Sequence, residues 1–136
     1  MRKVFIDTNI LLDLLLERQP WVRQASLLFS MADRKEIELL CCSLSFATAT
    51  YLIQRFKYER KEIISKLSVA KSLCVVTTID THVIDRTLQS DFSDLEDAMQ
   101  YYSALASNAT VIITRNKNDF ATSNIPVQTP IEFLGN

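Results

Sequence analysis

The stretch Val4-Phe5-Ile6-Asp7-Thr8-Asn9-Ile10-Leu11-Leu12-Asp13-Leu14-Leu15 decides how the chain is read. Three apolar residues end abruptly in an acidic, polar triplet, after which apolar residues resume at helical density. The pattern predicts a buried strand over Lys3 to Ile6, a turn at Asp7-Thr8-Asn9, and a short helix carrying Leu11, Leu12, Leu14 and Leu15. A carboxylate at the end of an early central strand is well placed to bind a metal or do chemistry. Asp, Thr and Asn are also the ordinary residues of turns and helix caps, so the triplet alone leaves both readings open.

Outward from this stretch the same alternation repeats. Gln19-Pro20-Trp21 marks a restart with Pro20 expected at a first helical position. Val22, Ala25, Leu28, Phe29 and Ala32 then recur at helical spacing. Ile37 to Cys42 reads as a second strand, and Ser43 or Ser45 as the cap of a helix from Phe46 to about Phe56. A helix over Glu59 to Ala70, a third strand over Leu73 to Thr77 and a helix from about Asp80 to Leu88 follow. Ser93-Asp94-Leu95-Glu96 matches a capping box with Ser93 at the cap. The helix it opens is expected to bury Leu95, Ala98, Met99, Tyr102, Leu105 and Ala106. Val111 to Thr114 supplies a fourth strand and Ile125 to Gln128 a short fifth. Thr129-Pro130-Ile131-Glu132 repeats the cap logic for a terminal helix. Short apolar runs separated by helices predict an α/β fold layered on a parallel sheet. The length suits one domain over residues 1–136.

Composition narrows the function. With 48% apolar and 23% charged residues, bulk disorder is excluded. Fifteen Lys and Arg against sixteen Asp and Glu leave no net basic charge, so any nucleic-acid contact must come from a local patch. The only glycine is Gly135, which excludes enzymes that depend on a glycine-rich phosphate loop or dinucleotide fingerprint. Cys41, Cys42 and Cys74 have no zinc-site spacing and read as reduced thiols. No signal peptide is evident and no apolar run is long enough to span a membrane, so a cytoplasmic protein with no membrane partner is expected.

Three places put acids where strands hand over to helices: Asp7; Asp94 and Asp97, three apart on one side of a helix; and Asp119, after the fourth strand. The carboxyl edge of a parallel sheet could gather them. Crowded carboxylates repel, and a divalent ion with hard oxygen ligands relieves that cost. Mg²⁺ or Mn²⁺ would suit the donors, and activation of water against a phosphodiester would suit the ion. The lone histidine, His82, cannot build a His-rich zinc site. Each acid also has a plain reading: Asp94 favours a helix start, and Asp119 or Asn116 could cap a short turn. Arg55, Lys57, Arg60 and Lys61, interleaved with Phe56 and Tyr58, suit phosphate contacts and base stacking. Glu59 and Glu62 offset that charge, which makes a solvated helix turn the first reading. Arg115, with Lys117 beside Asp119, is expected to clamp phosphate. Trp21 fits either a partner face or ordinary packing.

Taken together, Val4 to Leu15, Asp91-Phe92-Ser93-Asp94-Leu95-Glu96-Asp97-Ala98-Met99-Gln100-Tyr101 and Ile113-Thr114-Arg115-Asn116-Lys117-Asn118-Asp119-Phe120 resemble the PIN-domain family, most closely its toxin-like, VapC-like bacterial branch. The resemblance implies a three-layer α/β/α fold with a central parallel sheet. It implies a Mg²⁺- or Mn²⁺-dependent endoribonuclease acting on RNA, expected single-stranded, with a homodimer and an antitoxin as partners. On this resemblance Asp7, Asp97 and Asp119 are the catalytic and metal-binding acids. Thr8 and Asn9 support Asp7 or a water by hydrogen bonds, and Asn116 holds a position that is often acidic. The family usually carries a glutamate early in the helix after strand two, where this chain has Thr48. Asp94 would compensate if its side chain turned inward. The alternative is a catalytically weak or inactive PIN-like module that binds RNA or protein. A phosphatase of small phosphate esters would use the same metal logic.

Overall fold

The computed structural model describes residues 1–135. β1 (Lys3–Ile6) is the middle strand of an all-parallel sheet with β2 (Glu38–Cys42), β3 (Val75–Thr77), β4 (Val111–Ile113) and β5 (Val127–Gln128). The strand order is β3-β2-β1-β4-β5. Phe5 pairs with Leu40 on one side and Ile112 on the other. Covered on both faces, β1 has no need of polar alternation, and Val4, Phe5 and Ile6 are fully buried.

Helices cover both faces. α1 (Thr8–Leu15), α2 (Val22–Asp33), α3 (Ser43–Ile53) and α4 (Arg60–Ser72) pack Leu11, Leu28, Ile53 and Ile63 against Val4, Ile6, Cys41 and Ile113. α6 (Leu95–Ala106) brings Tyr101 and Ala104 to the opposite face, onto Phe5, Leu40 and Ile112, with α5 (Thr81–Leu88) beside it. α7 (Pro130–Leu134) closes the chain behind a capping box of Thr129 and Glu132. The expected three-layer α/β/α architecture is therefore the observed one. Strand order reverses at β1, so the crevice beyond the carboxyl ends of β1 and β4 is where such a sheet accepts ligands. Among the described residues no helix is long and apolar enough to cross a membrane, and Cys41, Cys42 and Cys74 are free thiols.

Several local expectations are corrected. Pro20 lies in the turn before α2, which begins two residues later. α3 begins at Ser43 directly out of β2 with no side-chain cap, so Ser45 is an interior helical residue. Asp94, not Ser93, caps α6, accepting from the amides of Glu96 (2.8 Å) and Asp97 (3.1 Å). The buried face of α6 is Ala98, Gln100, Tyr101, Ser103 and Ala104, while Leu95 stays 49% exposed. An apolar-only stripe misses this face because two of its positions are polar and internally satisfied. Ser103 shares a 2.6 Å hydrogen bond with Thr77, and Gln100 binds Asp7.

Candidate active site

The site grows from the end of β1. The Asp7 amide donates to the Ile113 carbonyl at 2.9 Å, extending the β1–β4 ladder one residue beyond the strand. This fixes the Asp7 carboxylate, only 4% exposed, at the crevice. Its two oxygens accept from Gln100 Nε2 at 3.0 Å and from Thr114 Oγ1 at 2.9 Å. Gln100 Oε1 in turn accepts the Thr8 amide at 3.1 Å, and the Thr8 hydroxyl meets the Ser45 hydroxyl at 2.6 Å. One buried network thus ties α1, α3, α6 and the exit of β4 to a single carboxylate. Burial raises the Asp7 pKa, opposed in turn by hydrogen bonds from Gln100, Thr114 and the Thr8 amide and by the Arg115 charge.

The network continues to Asp119. The Asn116 amide donates to Thr114 Oγ1 at 3.1 Å, and Asn116 Nδ2 donates to Asp119 Oδ1 at 3.1 Å. Asn116 also caps the single 3-10 turn Lys117–Phe120 that carries Asp119. Burial, then the charges of Asp7 and Asp94, raise the Asp119 pKa. Asp97, in the first turn of α6, is pushed from 3.8 to about 7 by burial and then by the charges of Asp94, Asp7, Asp119 and Glu96. The three acids expected from sequence therefore lie within electrostatic reach of one another. Asp94, Asp97, Asn118 and Asp119 line a cleft of about 250 Å³.

The supporting residues divide. Thr8 joins the network as described. Asn9 does not support Asp7, because its carbonyl and side-chain oxygen accept from Arg18 at 3.2 and 3.3 Å. Asp94 both caps α6 and adds negative charge at Asp97. Thr48 is half-buried in the second turn of α3, three residues beyond Ser45 and hence on its side of the helix, with no side-chain hydrogen bond among the described residues. Arg115 is not free to clamp phosphate in the way its sequence position suggests. Its fork is engaged by the fully buried Asp13 at 3.0 and 3.3 Å, and its guanidinium lies 3.8 Å from the centre of the Trp21 ring. Arg18 binds the same Asp13 at 2.9 Å.

Sequence reasoning passed over Gln100, Thr114, Ser45 and Asp13 as functional neighbours. Thr114 carried a usable signal, since it ends Val111-Ile112-Ile113 just as Asp7 ends Val4-Phe5-Ile6. Gln100 follows Asp97 by three and so shares its side of the helix. Ser45 and Asp13 had no signal beyond being polar among apolar neighbours.

The donors are hard oxygens, which suits Mg²⁺ or Mn²⁺. Among the described residues, no group of three or more His, Cys, Asp or Glu side chains is gathered tightly enough to hold an ion unaided. Mg²⁺ usually keeps several waters and takes one or two carboxylates. A pair drawn from Asp7, Asp97 and Asp119, completed by water, fits that requirement.

Fold and acidic crevice together define a PIN domain. The family model for that domain matches residues 3–118, and the chain belongs to the PIN-domain family. It is 24% identical over 136 residues to Ribonuclease VapC1 of Aquifex aeolicus (strain VF5), covering 96% of this chain and 92% of that protein. Among solved structures it resembles VapBC2 from Rickettsia felis bound to a promoter DNA fragment, with 17% identity, a TM-score of 0.68, and 93% and 98% of the two chains covered. FitAcB from Neisseria gonorrhoeae matches with 13% identity and a TM-score of 0.69, covering 93% and 97%. A toxin–antitoxin complex from Klebsiella pneumoniae matches with 24% identity and a TM-score of 0.67, covering 93% and 97%. These structural likenesses establish the shared fold.

Proposed function

We propose that this protein is a divalent-metal-dependent endoribonuclease of the VapC type and the toxin of a toxin–antitoxin pair. One observation carries the reading. Asp7, Asp97 and Asp119 come from segments distant in sequence, yet stand close enough beyond β1 and β4 that the charge of Asp7 raises the pKa of both other acids and that of Asp119 raises Asp97. Such repulsion destabilises the free protein and is relieved by a cation. A bound Mg²⁺ or Mn²⁺ would supply positive charge to activate a water and to stabilise charge developing on phosphate oxygens. A pair drawn from Asp7, Asp97 and Asp119, completed by water, would hold the ion. Gln100 and Thr114 keep the Asp7 carboxylate in one orientation, and Asn116 does the same for Asp119. RNA as substrate is supported by the ribonuclease relative from Aquifex aeolicus, and an antitoxin partner by the resemblance to toxin–antitoxin complexes. A homodimer working in the cytoplasm completes the proposal.

The test is cleavage of single-stranded RNA with Mg²⁺ or Mn²⁺ by wild type and by Asp7→Asn. Cleavage that requires the ion and disappears in Asp7→Asn is expected. Equal cleavage by both, or none with either ion, overturns the reading. A second reading, a weakly active or inactive binding module, is favoured by the neutral Thr48 and by the lack of a ready three-carboxylate cage among the described residues. It predicts no thermal stabilisation by either ion, whereas an ion that binds only the folded protein must raise its stability.

A further inference from the structure

The turn between α3 and α4 presents large aromatic rings to water. Tyr51 is 61% exposed and Phe56 55% exposed. Around them stand Arg55, Lys57, Arg60 and Lys61, all exposed and none in a salt bridge among the described residues. Arg55 stacks on Tyr51, with its guanidinium 5.4 Å from the ring centre and a 3.2 Å hydrogen bond to the phenol oxygen. Phe56 and Tyr58 lie 6.4 Å apart, and the Lys66 ammonium sits 5.1 Å from the Tyr58 ring.

In sequence, Glu59 and Glu62 look like the counter-charges of these cations. The structure ties both to the start of α4 rather than to the cations, with their charge still offsetting half of the four. Glu59 caps α4, and Glu62 Oε1 accepts the Glu59 amide at 3.2 Å, forming a reciprocal capping box. Arg60 and Lys61 then occupy the first turn of α4, at the positive end of the helix dipole, where basic residues are unfavourable. Helix stability does not account for them. Exposed rings beside unpaired cations are what a single strand requires, since every base has a face to stack and every linkage a charge to meet.

We propose that the α3–α4 turn is a docking surface for single-stranded RNA, with bases stacking on Tyr51 and Phe56 and phosphates meeting Arg55, Lys57, Arg60 and Lys61. The proposal deepens the nuclease reading and rests on it for where the strand leads. Along α3 the rise from Ser45, in the Asp7 network, to Tyr51 is about 9 Å. Ser45, Thr48 and Tyr51 step by three along the helix from buried to half-buried to exposed. α3 thus joins the Asp7 network near its start to the patch at its far end.

The test is fluorescence anisotropy with a short fluorescein-labelled single-stranded RNA of mixed sequence, in EDTA so that no metal-dependent cleavage intervenes. Tyr51→Ala and Phe56→Ala are each expected to weaken binding at least ~5-fold. The paired change Lys57→Gln with Lys61→Gln is expected to reduce the slope of log K against log salt by about 1.4, from two lost phosphate contacts. Wild type that fails to bind, or patch variants that bind as wild type, overturn the proposal. Patch variants that instead lose self-association on size exclusion assign the surface to a second copy and also overturn it. Patch-dependent binding without cleavage in Mg²⁺ or Mn²⁺ would sink the nuclease reading alone.

Discussion

Replacing Asp97 with Asn tests whether the acids are crowded. Burial and four neighbouring carboxylates move Asp97 from 3.8 to about 7. Taken at face value that gap corresponds to roughly 4 kcal/mol against the ionised form. Asp97 keeps contact with water, so screening reduces the figure to about 1–2 kcal/mol. The sign follows from linkage. Between about pH 4 and 7 the folded protein holds a proton on Asp97 that the unfolded chain has released. This contribution is fully present below the unfolded pKa and is lost as pH rises through the folded one. The neutral amide of Asp97→Asn carries no such charge at any pH. The stability of this variant relative to wild type should therefore be near zero below pH 4, grow through the window, and level off above pH 7.

Urea denaturation in EDTA at pH 5 and pH 8 reads the effect. At pH 8 the variant should be more stable by about 1–2 kcal/mol, with Tm raised by roughly 3–8 °C for a chain of this size. At pH 5 the gain should be smaller, by about a quarter for a full effect of about 1–2 kcal/mol. Adding Mn²⁺ at pH 8 should stabilise wild type and leave the variant largely unchanged. A gain equal at the two pH values, or a loss at pH 8, would refute the crowding argument and with it the main support for an ion at the crevice.

Gln100→Leu removes the donor to Asp7 Oδ1 and should destabilise the fold by about 1–3 kcal/mol in urea denaturation, because a buried acceptor is left unpaired. Asp13→Asn breaks a fully buried carboxylate from two arginines. Losing one partner of a buried pair typically costs about 3–5 kcal/mol, and Arg18 and Arg115 retain some water, so about 2–3 kcal/mol is expected in the same assay. Thr48→Glu restores a carboxylate where the PIN pattern usually has one. It should lower the Mn²⁺ concentration needed for half-maximal thermal stabilisation at least ~10-fold, about 1.4 kcal/mol of binding free energy.

The layer architecture was legible because parallel strands covered on both faces must be continuously apolar. Val4 to Ile6, Leu39 to Cys42 and Val111 to Ile113 announce themselves in that way, and each is buried as expected. Helix starts were less legible. Ser93 and Asp94 are both competent caps, and sequence cannot decide between neighbours one residue apart. A cap shifted by one residue leaves the helix faces unchanged; what hid Gln100 was choosing the core stripe by apolarity alone, which leaves no inward place for an amide.

The acids were legible by a different route, since each follows a strand or opens a helix at the sheet edge facing the crevice. What holds them was not, because hydrogen-bond partners are set by packing between elements distant in the chain. Thr114 and Gln100 reach Asp7 from 107 and 93 residues away. Arg115 shows the reverse hazard. Beside Asp119 it reads as a substrate contact, yet 102 residues upstream Asp13 takes its fork. A buried carboxylate facing two arginines leaves few alternatives, since an unpaired ion in that environment would be far more costly than an exposed guanidinium. Four exposed cations without a salt bridge among the described residues gather instead at the α3–α4 turn. Glu59 and Glu62 keep their charge within the helix cap, so the four cations of this turn face two acids and leave it net basic.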